Sequence, residues 1–219
     1  MHIVVLGSST AAGIGPADSA NAWVERYRRH LDAAGVGHRL TNLAHGGFNT
    51  YPLLPFGRGG GEERLQPDTA RNIERALAAE PDAIIINLPS NDANLGVPVE
   101  AQVANYDTLV ARARTVGVPV WITTTQPRDF DATRRANALA ARDETFDRFG
   151  PRAIDFFSGL GRPDGTISSP FATGDGVHLN DAAHAVLFAR VADEGIPAAV
   201  SCDADLSPPN GPAPRRAEP

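Results

Sequence analysis

The sequence predicts an α/β fold: three layers, α/β/α, around a five-stranded parallel sheet. Short β-branched runs alternate with longer amphipathic stretches from residue 3 to residue 192. The clearest run, AIIIN at 83–87, is apolar without alternation, as a strand buried on both faces requires. The residues able to do chemistry follow the strands, at the carboxyl edge where open α/β sheets bind ligands.

The elements follow in order. Residues 3–6 read as a buried strand ended by Gly7. Residues 20–34 read as a helix with Trp23, Tyr27 and Leu31 on one face, stopped by Gly35 and Gly37. Residues 39–44 form a second, weaker strand, and 69–79 a helix with Ile73 and Leu77 inward. After the AIIIN strand, residues 99–116 form a helix with Val103, Tyr106 and Val110 on one face. Residues 118–123 give the fourth strand, and 133–149 a helix with Leu139, Phe146 and Phe149 inward. A short fifth strand at 153–156 and a helix at 180–192, carrying Val186, Leu187 and Val191, complete the pattern. Trp23, Trp121, Phe156 and Phe157 are expected in the core, and His184 on the last helix is expected at the surface or in packing. Residues 51–66, with two prolines and four glycines, read as a long loop near the active edge.

The length of 219 residues suits one domain with an appendage, since domains usually run to about 100–200 residues. The boundary is expected at 198, leaving 199–219 as a disordered tail. That segment is polar and proline-rich, and it buries too little apolar area to offset its ordering entropy. With 20 basic against 26 acidic residues the net charge is −6, so non-specific binding of nucleic acid is not expected. All 20 basic residues are arginine, which excludes lysine Schiff bases and lysine-bearing phosphate loops. The single cysteine, Cys202, excludes an intrachain disulfide framework and a multi-cysteine zinc site. No stretch approaches the roughly 20 apolar residues of a membrane span. The first residues, MHIVVL, lack a basic region and a cleavage site, so a cytoplasmic location is expected.

Four constellations carry the chemistry. Gly7-Ser8-Ser9-Thr10 sits where a buried strand meets small residues. Such a turn can expose a serine hydroxyl beside backbone N–H groups, although a βα turn can also bind phosphate. Asn42-Leu43-Ala44-His45-Gly46-Gly47 follows the second strand, and glycine there lets a backbone N–H approach a ligand. Pro89-Ser90-Asn91-Asp92 follows the third, where an asparagine amide can donate to a developing oxyanion. Asp175-Gly176-Val177-His178 precedes the last helix and can bring a carboxylate to an imidazole. Each alone is equally a polar turn.

In chain order, the four resemble the sequence blocks of the SGNH hydrolases, also called the GDSL esterase/lipase family. GSST is similar to the first block, with Ser9 at the nucleophile position, and NLAHGG to the second, with Gly47 at the oxyanion glycine. PSND is similar to the third, with Asn91 at the oxyanion asparagine, and DGVH to the last, with Asp175 and His178 as its Asp-x-x-His pair. The resemblance covers residues 3–191. It implies a flavodoxin-like fold and an ester hydrolase with no metal and no organic cofactor, acting on a small-molecule acyl ester. It implies a triad of Ser9, His178 and Asp175, with an oxyanion hole from the N–H groups of Ser9 and Gly47 and the Asn91 amide. His45 and Tyr51 are candidate substrate contacts. Two residues depart from the family pattern: Ser8 stands for the usual aspartate and Pro89 for the usual glycine, so Ser8 competes with Ser9 as the reactive serine. An acyltransferase or thioesterase would use the same triad. A non-catalytic binding module on this scaffold is the alternative from another class.

Overall fold

The computed structural model describes residues 1–35, 37–88 and 90–206. Five strands form one parallel sheet in the order β2-β1-β3-β4-β5: β1 (His2–Gly7), β2 (Arg39–Asn42), β3 (Ala83–Asn87), β4 (Val120–Thr123) and β5 (Ala153–Ile154). β1 and β3 are buried along their whole length. One face carries α1 (Trp23–Ala33) and α6 (Asp181–Asp193), packed over Ile3, Val5 and Ile85. The other carries α2 (Ile73–Leu77) and α4 (Val99–Arg114), packed over Val4, Leu6, Ile84 and Ile86. The period-two alternation of the strand side chains thus feeds two separate cores. The short α3 (Asn91–Leu95) follows β3, and α5 (Ala132–Phe149) packs against α4.

The expected architecture and strand number are observed, but several elements are shorter. α2 covers only Ile73–Leu77, with Asn72 capping it through Arg75 N–H. β2 ends at Asn42, whose side chain turns to accept from Ala44 N–H and to donate to the Ala11 carbonyl. β5 is two residues long, because Phe156 N–H donates to the Thr124 hydroxyl instead of extending the ladder.

Two helix faces also differ from expectation. On α5 the fully buried residues are Ala138, Ala141 and Thr145, with Leu139, Phe146 and Phe149 only partly buried. Small residues let the helix lie close, and the larger ones fill its flanks. On α4 the buried stripe is Gln102, Tyr106, Leu109 and Ala113, leaving Val103 and Val110 at its edge.

The loop at 51–66 is not free of the core. Its start, Pro52, Leu53 and Leu54, is buried in the core that α4 covers, whereas residues 56–59, 61–63 and Gln66 are exposed. Within the expected tail, α7 (Ile196–Leu206) extends as far as residue 206, with Ile196, Ala199 and Val200 against the α1/α6 core. Cys202 is exposed on that helix. Residues 207–219 and Pro89 lie outside the described residues.

Two buried titratable groups brace the frame. His184, fully buried on α6, accepts from Trp23 N–H at 3.1 Å through Nδ1 and so caps α1, whose own N-cap Ala22 has no side-chain acceptor. Asp92 accepts from the backbone N–H and the hydroxyl of Thr50, the latter at 2.7 Å, and pins the 43–54 segment to α3.

Burial drives these two groups in opposite directions. It pulls His184 down from 6.5 to about 4. It pushes Asp92 up from 3.8 to about 6, against the Thr50 hydrogen bonds, which lower it. For His184 the unfolded chain binds the extra proton, so its contribution to stability is lost as pH falls from 6.5 towards about 4. For Asp92 the folded chain holds the proton, so stability declines as pH rises from 3.8 through about 6. The two slopes oppose one another in the wild type. Urea denaturation across this range should show Asp92→Asn losing more stability than wild type on acidification, and His184→Gln losing less. Unchanged slopes in both variants would mean that neither group titrates as its burial dictates.

Candidate active site

The site forms where β1 and β3 end side by side. Gly7 pairs with Asn87, and a Cβ on Gly7 would stand 2.6 Å from the Asn87 carbonyl oxygen, so only glycine allows the approach. Ser8 N–H continues the contact by donating to that carbonyl at 3.0 Å. The chain then turns: Ser8 accepts from Ala12 N–H and Ser9 from Ile14 N–H through their carbonyls, both at 2.9 Å. The two serines differ. Ser8 is fully buried, and its Oγ receives a hydrogen bond from Asn91 Nδ2 at 2.7 Å. Ser9 is partly exposed.

His178 lies in a loop built by its own polar side chains. Asp175 Oδ1 accepts from Val177 N–H and His178 N–H, each at 2.8 Å, and from the Thr173 hydroxyl at 2.8 Å. Its Oδ2 faces His178 Nδ1 at 2.6 Å. Partial burial opposes ionisation of Asp175, but these hydrogen bonds outweigh it and hold the carboxyl well below the usual carboxylate range. An ionised Asp175 accepts a hydrogen bond from Nδ1–H, and in that tautomer Nε2 carries the ring's lone pair. Downstream, Asn180 caps α6 through Ala182 N–H and Ala183 N–H and donates to the Pro170 carbonyl, which fixes the end of the loop.

Three contacts bring this loop to the Ser9 turn. Gly15, at φ +124°, runs so close that a Cβ there would meet the Leu179 carbonyl oxygen at 2.3 Å and the His178 Cβ at 3.3 Å. Asp181 accepts from Ala17 N–H at 3.0 Å. Buried Gln126 spans the gap: its Oε1 accepts from the Thr10 hydroxyl at 2.8 Å and its Nε2 donates to the Val177 carbonyl at 3.2 Å. Gln126 therefore links the residue after Ser9 to the residue before His178.

Asn91 opens α3. Besides Ser8 Oγ, its Nδ2 reaches the Phe48 carbonyl at 2.8 Å, which draws the third sequence block to the second. His45 N–H donates to the Gly7 carbonyl at 3.0 Å, while its exposed ring packs against Phe48 at 4.9 Å. Gly47 is exposed at φ +86°, with no heavy atom within 4 Å of where a Cβ would stand. Tyr51 differs from the others, because its ring packs against the α4-side core. Among the described residues, no group of three or more His, Cys, Asp or Glu side chains converges as metal ligands would.

Sequence reading missed the segment after β4. Gln126 joins the Ser9 and His178 loops, Arg128 Nη1 lies 3.3 Å from Asn91 Oδ1, and Asp129 N–H donates to the Gly176 carbonyl at 2.9 Å. The available signal was positional: Gln126-Pro127-Arg128-Asp129 follows a strand at the same edge as the other blocks.

Comparison with known proteins agrees with this frame. The family model of the GDSL-like lipase/acylhydrolase family matches residues 5–186. A lipase/acylhydrolase from Enterococcus faecalis superimposes with a TM-score of 0.65 at 21% identity, over 89% of this chain and 96% of that one. The psychrotrophic esterase EstA from Pseudoalteromonas gives 0.64 at 18% identity, over 90% and 98% of the two chains. A variant of an acetyl-xylooligosaccharide esterase from Geobacillus gives 0.64 at 17% identity, over 88% and 93%. A search of curated proteins returned no match. The sequence match over most of the chain and the shared three-layer fold lead to one assignment: the chain belongs to the GDSL-like lipase/acylhydrolase family.

Proposed function

We propose that the protein is a serine ester hydrolase that cleaves short acyl esters through an acyl-enzyme on Ser9. The observation that carries this reading is the Asp175–His178 pair at 2.6 Å, held against the Ser9 turn by Gln126. Of the two adjacent serines, Ser9 suits the nucleophile better. The Ser8 hydroxyl is buried and engaged by Asn91, whereas Ser9 is partly exposed.

In the reaction, His178 Nε2 takes the proton of Ser9 Oγ as the oxygen attacks the ester carbonyl carbon. Asp175 holds the ring tautomer and balances the imidazolium. The backbone N–H groups of Ser9 and Gly47 and the Asn91 amide receive the oxyanion. For that, Nδ2 exchanges one of its resting acceptors, Ser8 Oγ or the Phe48 carbonyl, for the substrate oxygen. Collapse of the intermediate expels the alcohol, protonated by His178. Water, deprotonated by the same nitrogen, then releases the acid and restores Ser9. Among similar structures, the acetyl-xylooligosaccharide esterase supports an acetyl group as the acyl part.

Covalent labelling with a fluorophosphonate, followed by fragment-resolved mass spectrometry, tests the assignment. The adduct should fall on Ser9, disappear in Ser9→Ala and persist in Ser8→Ala. Labelling that survives in Ser9→Ala places the nucleophile elsewhere, and absence of any adduct in the wild type favours a binding module.

Asn91→Ala should lower kcat on 4-nitrophenyl acetate by about 10²–10³-fold, the usual cost of one oxyanion donor. A fall of less than a few-fold would remove Asn91 from the oxyanion hole.

Gln126→Met should lower kcat more than it raises KM, because a loosened Ser9–His178 register costs the transition state before it costs binding. It should also lower stability by about 1–3 kcal/mol, from leaving the Thr10 hydroxyl and the Val177 carbonyl unpaired. Full kcat in a destabilised Gln126→Met would restrict Gln126 to packing.

A further inference from the structure

The proposed hydrolysis uses an imidazole, a carboxylate and amide donors. It leaves one cation beside the site unexplained. Arg128, half-buried at the carboxyl edge, places Nη1 3.3 Å from Asn91 Oδ1 and 3.4 Å from Ser90 Oγ, and Nη2 3.3 Å from Asn94 Oδ1. Its guanidinium lies 4.5 Å from the centre of the Phe130 ring. All three acceptors are neutral, and all three contacts are longer than the ~2.7–2.9 Å of a charge-assisted hydrogen bond.

Other arginines of the fold are paired with carboxylates: Arg28 with Glu25, Arg112 with Glu74 and Arg148 with Asp107. Arg128 has no carboxylate within 4.0 Å among the described residues. Burial, reinforced by Arg134, works against its charge, and Asp175 alone among the facing groups favours it. Asp175, however, already serves four hydrogen bonds to its own loop and to His178. A desolvated guanidinium without a counter-ion is costly unless an anion completes it.

Its location says what that anion belongs to. Asn91 presents its oxygen to Arg128 and its nitrogen to the place proposed for the oxyanion, so a single amide separates the cation from the reacting carbonyl. Arginine also presents a planar fork of donors that matches a carboxylate two bonds at a time. Resting on the hydrolase reading above, we propose that Arg128 binds a carboxylate carried by the substrate, and that the preferred substrates are short esters bearing a carboxylate a few bonds from the scissile carbonyl.

The carboxylate can sit on the acyl or the alcohol part. Two matched pairs distinguish these: monoethyl succinate against ethyl butyrate, and O-acetyl-lactate against its ethyl ester. The wild type should favour the anionic member of one pair in kcat/KM by about 10-fold or more, the range expected for hydrogen bonds to a charged group. In Arg128→Gln that preference should vanish. In Arg128→Lys, which keeps the charge but not the fork, it should be intermediate. Raising NaCl from about 0.05 M to about 0.5 M should narrow it in the wild type, because salt screens a partly exposed pair.

Equal losses on both members of each pair in Arg128→Gln would overturn the proposal and make Arg128 only a brace for Asn91. So would a wild type without preference. Binding of succinate, followed by NMR on wild type and Arg128→Gln, separates this proposal from the hydrolase reading. Succinate binding that depends on Arg128 in a protein with no ester turnover would retain the anion site and reject the hydrolase. Turnover of neutral esters without Arg128-dependent succinate binding would do the reverse.

Discussion

The close approach of β1 to β3 at Gly7 and Asn87 is the constraint on which the site depends. A parallel sheet points every strand's carboxyl end at one edge, and these two central strands end in register there. Because Gly7 has no side chain, the chain can pass within contact of the Asn87 carbonyl and turn at once, which sets Ser8 and Ser9 directly beside the start of α3. Asn91 then reaches Ser8 across the junction, and the Phe48 segment closes on Asn91 from the β2 side. A residue with a Cβ at position 7 would push β1 from β3 at the point where both backbones are also paired through the ladder. The four sequence blocks are distant along the chain, and they meet because the sheet brings their strands' ends together.

Polar groups, rather than apolar packing, fix the positions at that edge. The cores lie on the two faces of the sheet and reach its carboxyl edge at residues such as Ala11, Ala44, Leu88 and Leu179. Beyond them the loops are tied by side chains to backbone: Asp175 to Val177 and His178, Asp92 to Thr50, Gln126 to Val177. Two of these carboxylates show how environment separates function. Asp175, near the surface and rich in donors, is held ionised, whereas Asp92, buried with Thr50 as its donor, is pushed up to about 6. In the proposed reaction the first serves His178, and the second holds the floor under Asn91.

What could be read from the sequence follows from how each feature is encoded. Strands β1 and β3 are continuous apolar runs, and their burial on both faces is written in every residue. The Asp175–His178 pairing is also local, since three residues in a turn suffice to bring the groups together. Helix faces were less legible where small residues do the burying, as Ala138 and Ala141 do on α5 while Leu139 lies at the flank. α7 was hidden because its apolar face is short and gains its burial from a core made elsewhere in the chain. Gln126 and Arg128 were least legible of all. Their partners, Thr10, Val177 and Asn91, lie between 37 and 116 residues away, and no local pattern marks such contacts.

Ser8 joins these observations. The family usually carries aspartate at this position, so the substitution changes the charge at the centre of the site. An aspartate here would be a buried anion receiving the Asn91 amide, a stronger bond than a hydroxyl makes and one harder to exchange for a substrate oxyanion. It would also be a negative charge beside the place proposed for the oxyanion. With Ser8, the acceptor facing Asn91 Nδ2 is neutral and weaker, so that in the proposed reaction the amide is freer to turn to the substrate. Arg128 faces the far side of that amide, with no carboxylate within 4.0 Å among the described residues. On the reading proposed for Arg128, a neutral Ser8 and a cation without a paired carboxylate belong to one electrostatic arrangement, in which the negative charge arrives with the substrate and leaves with the product.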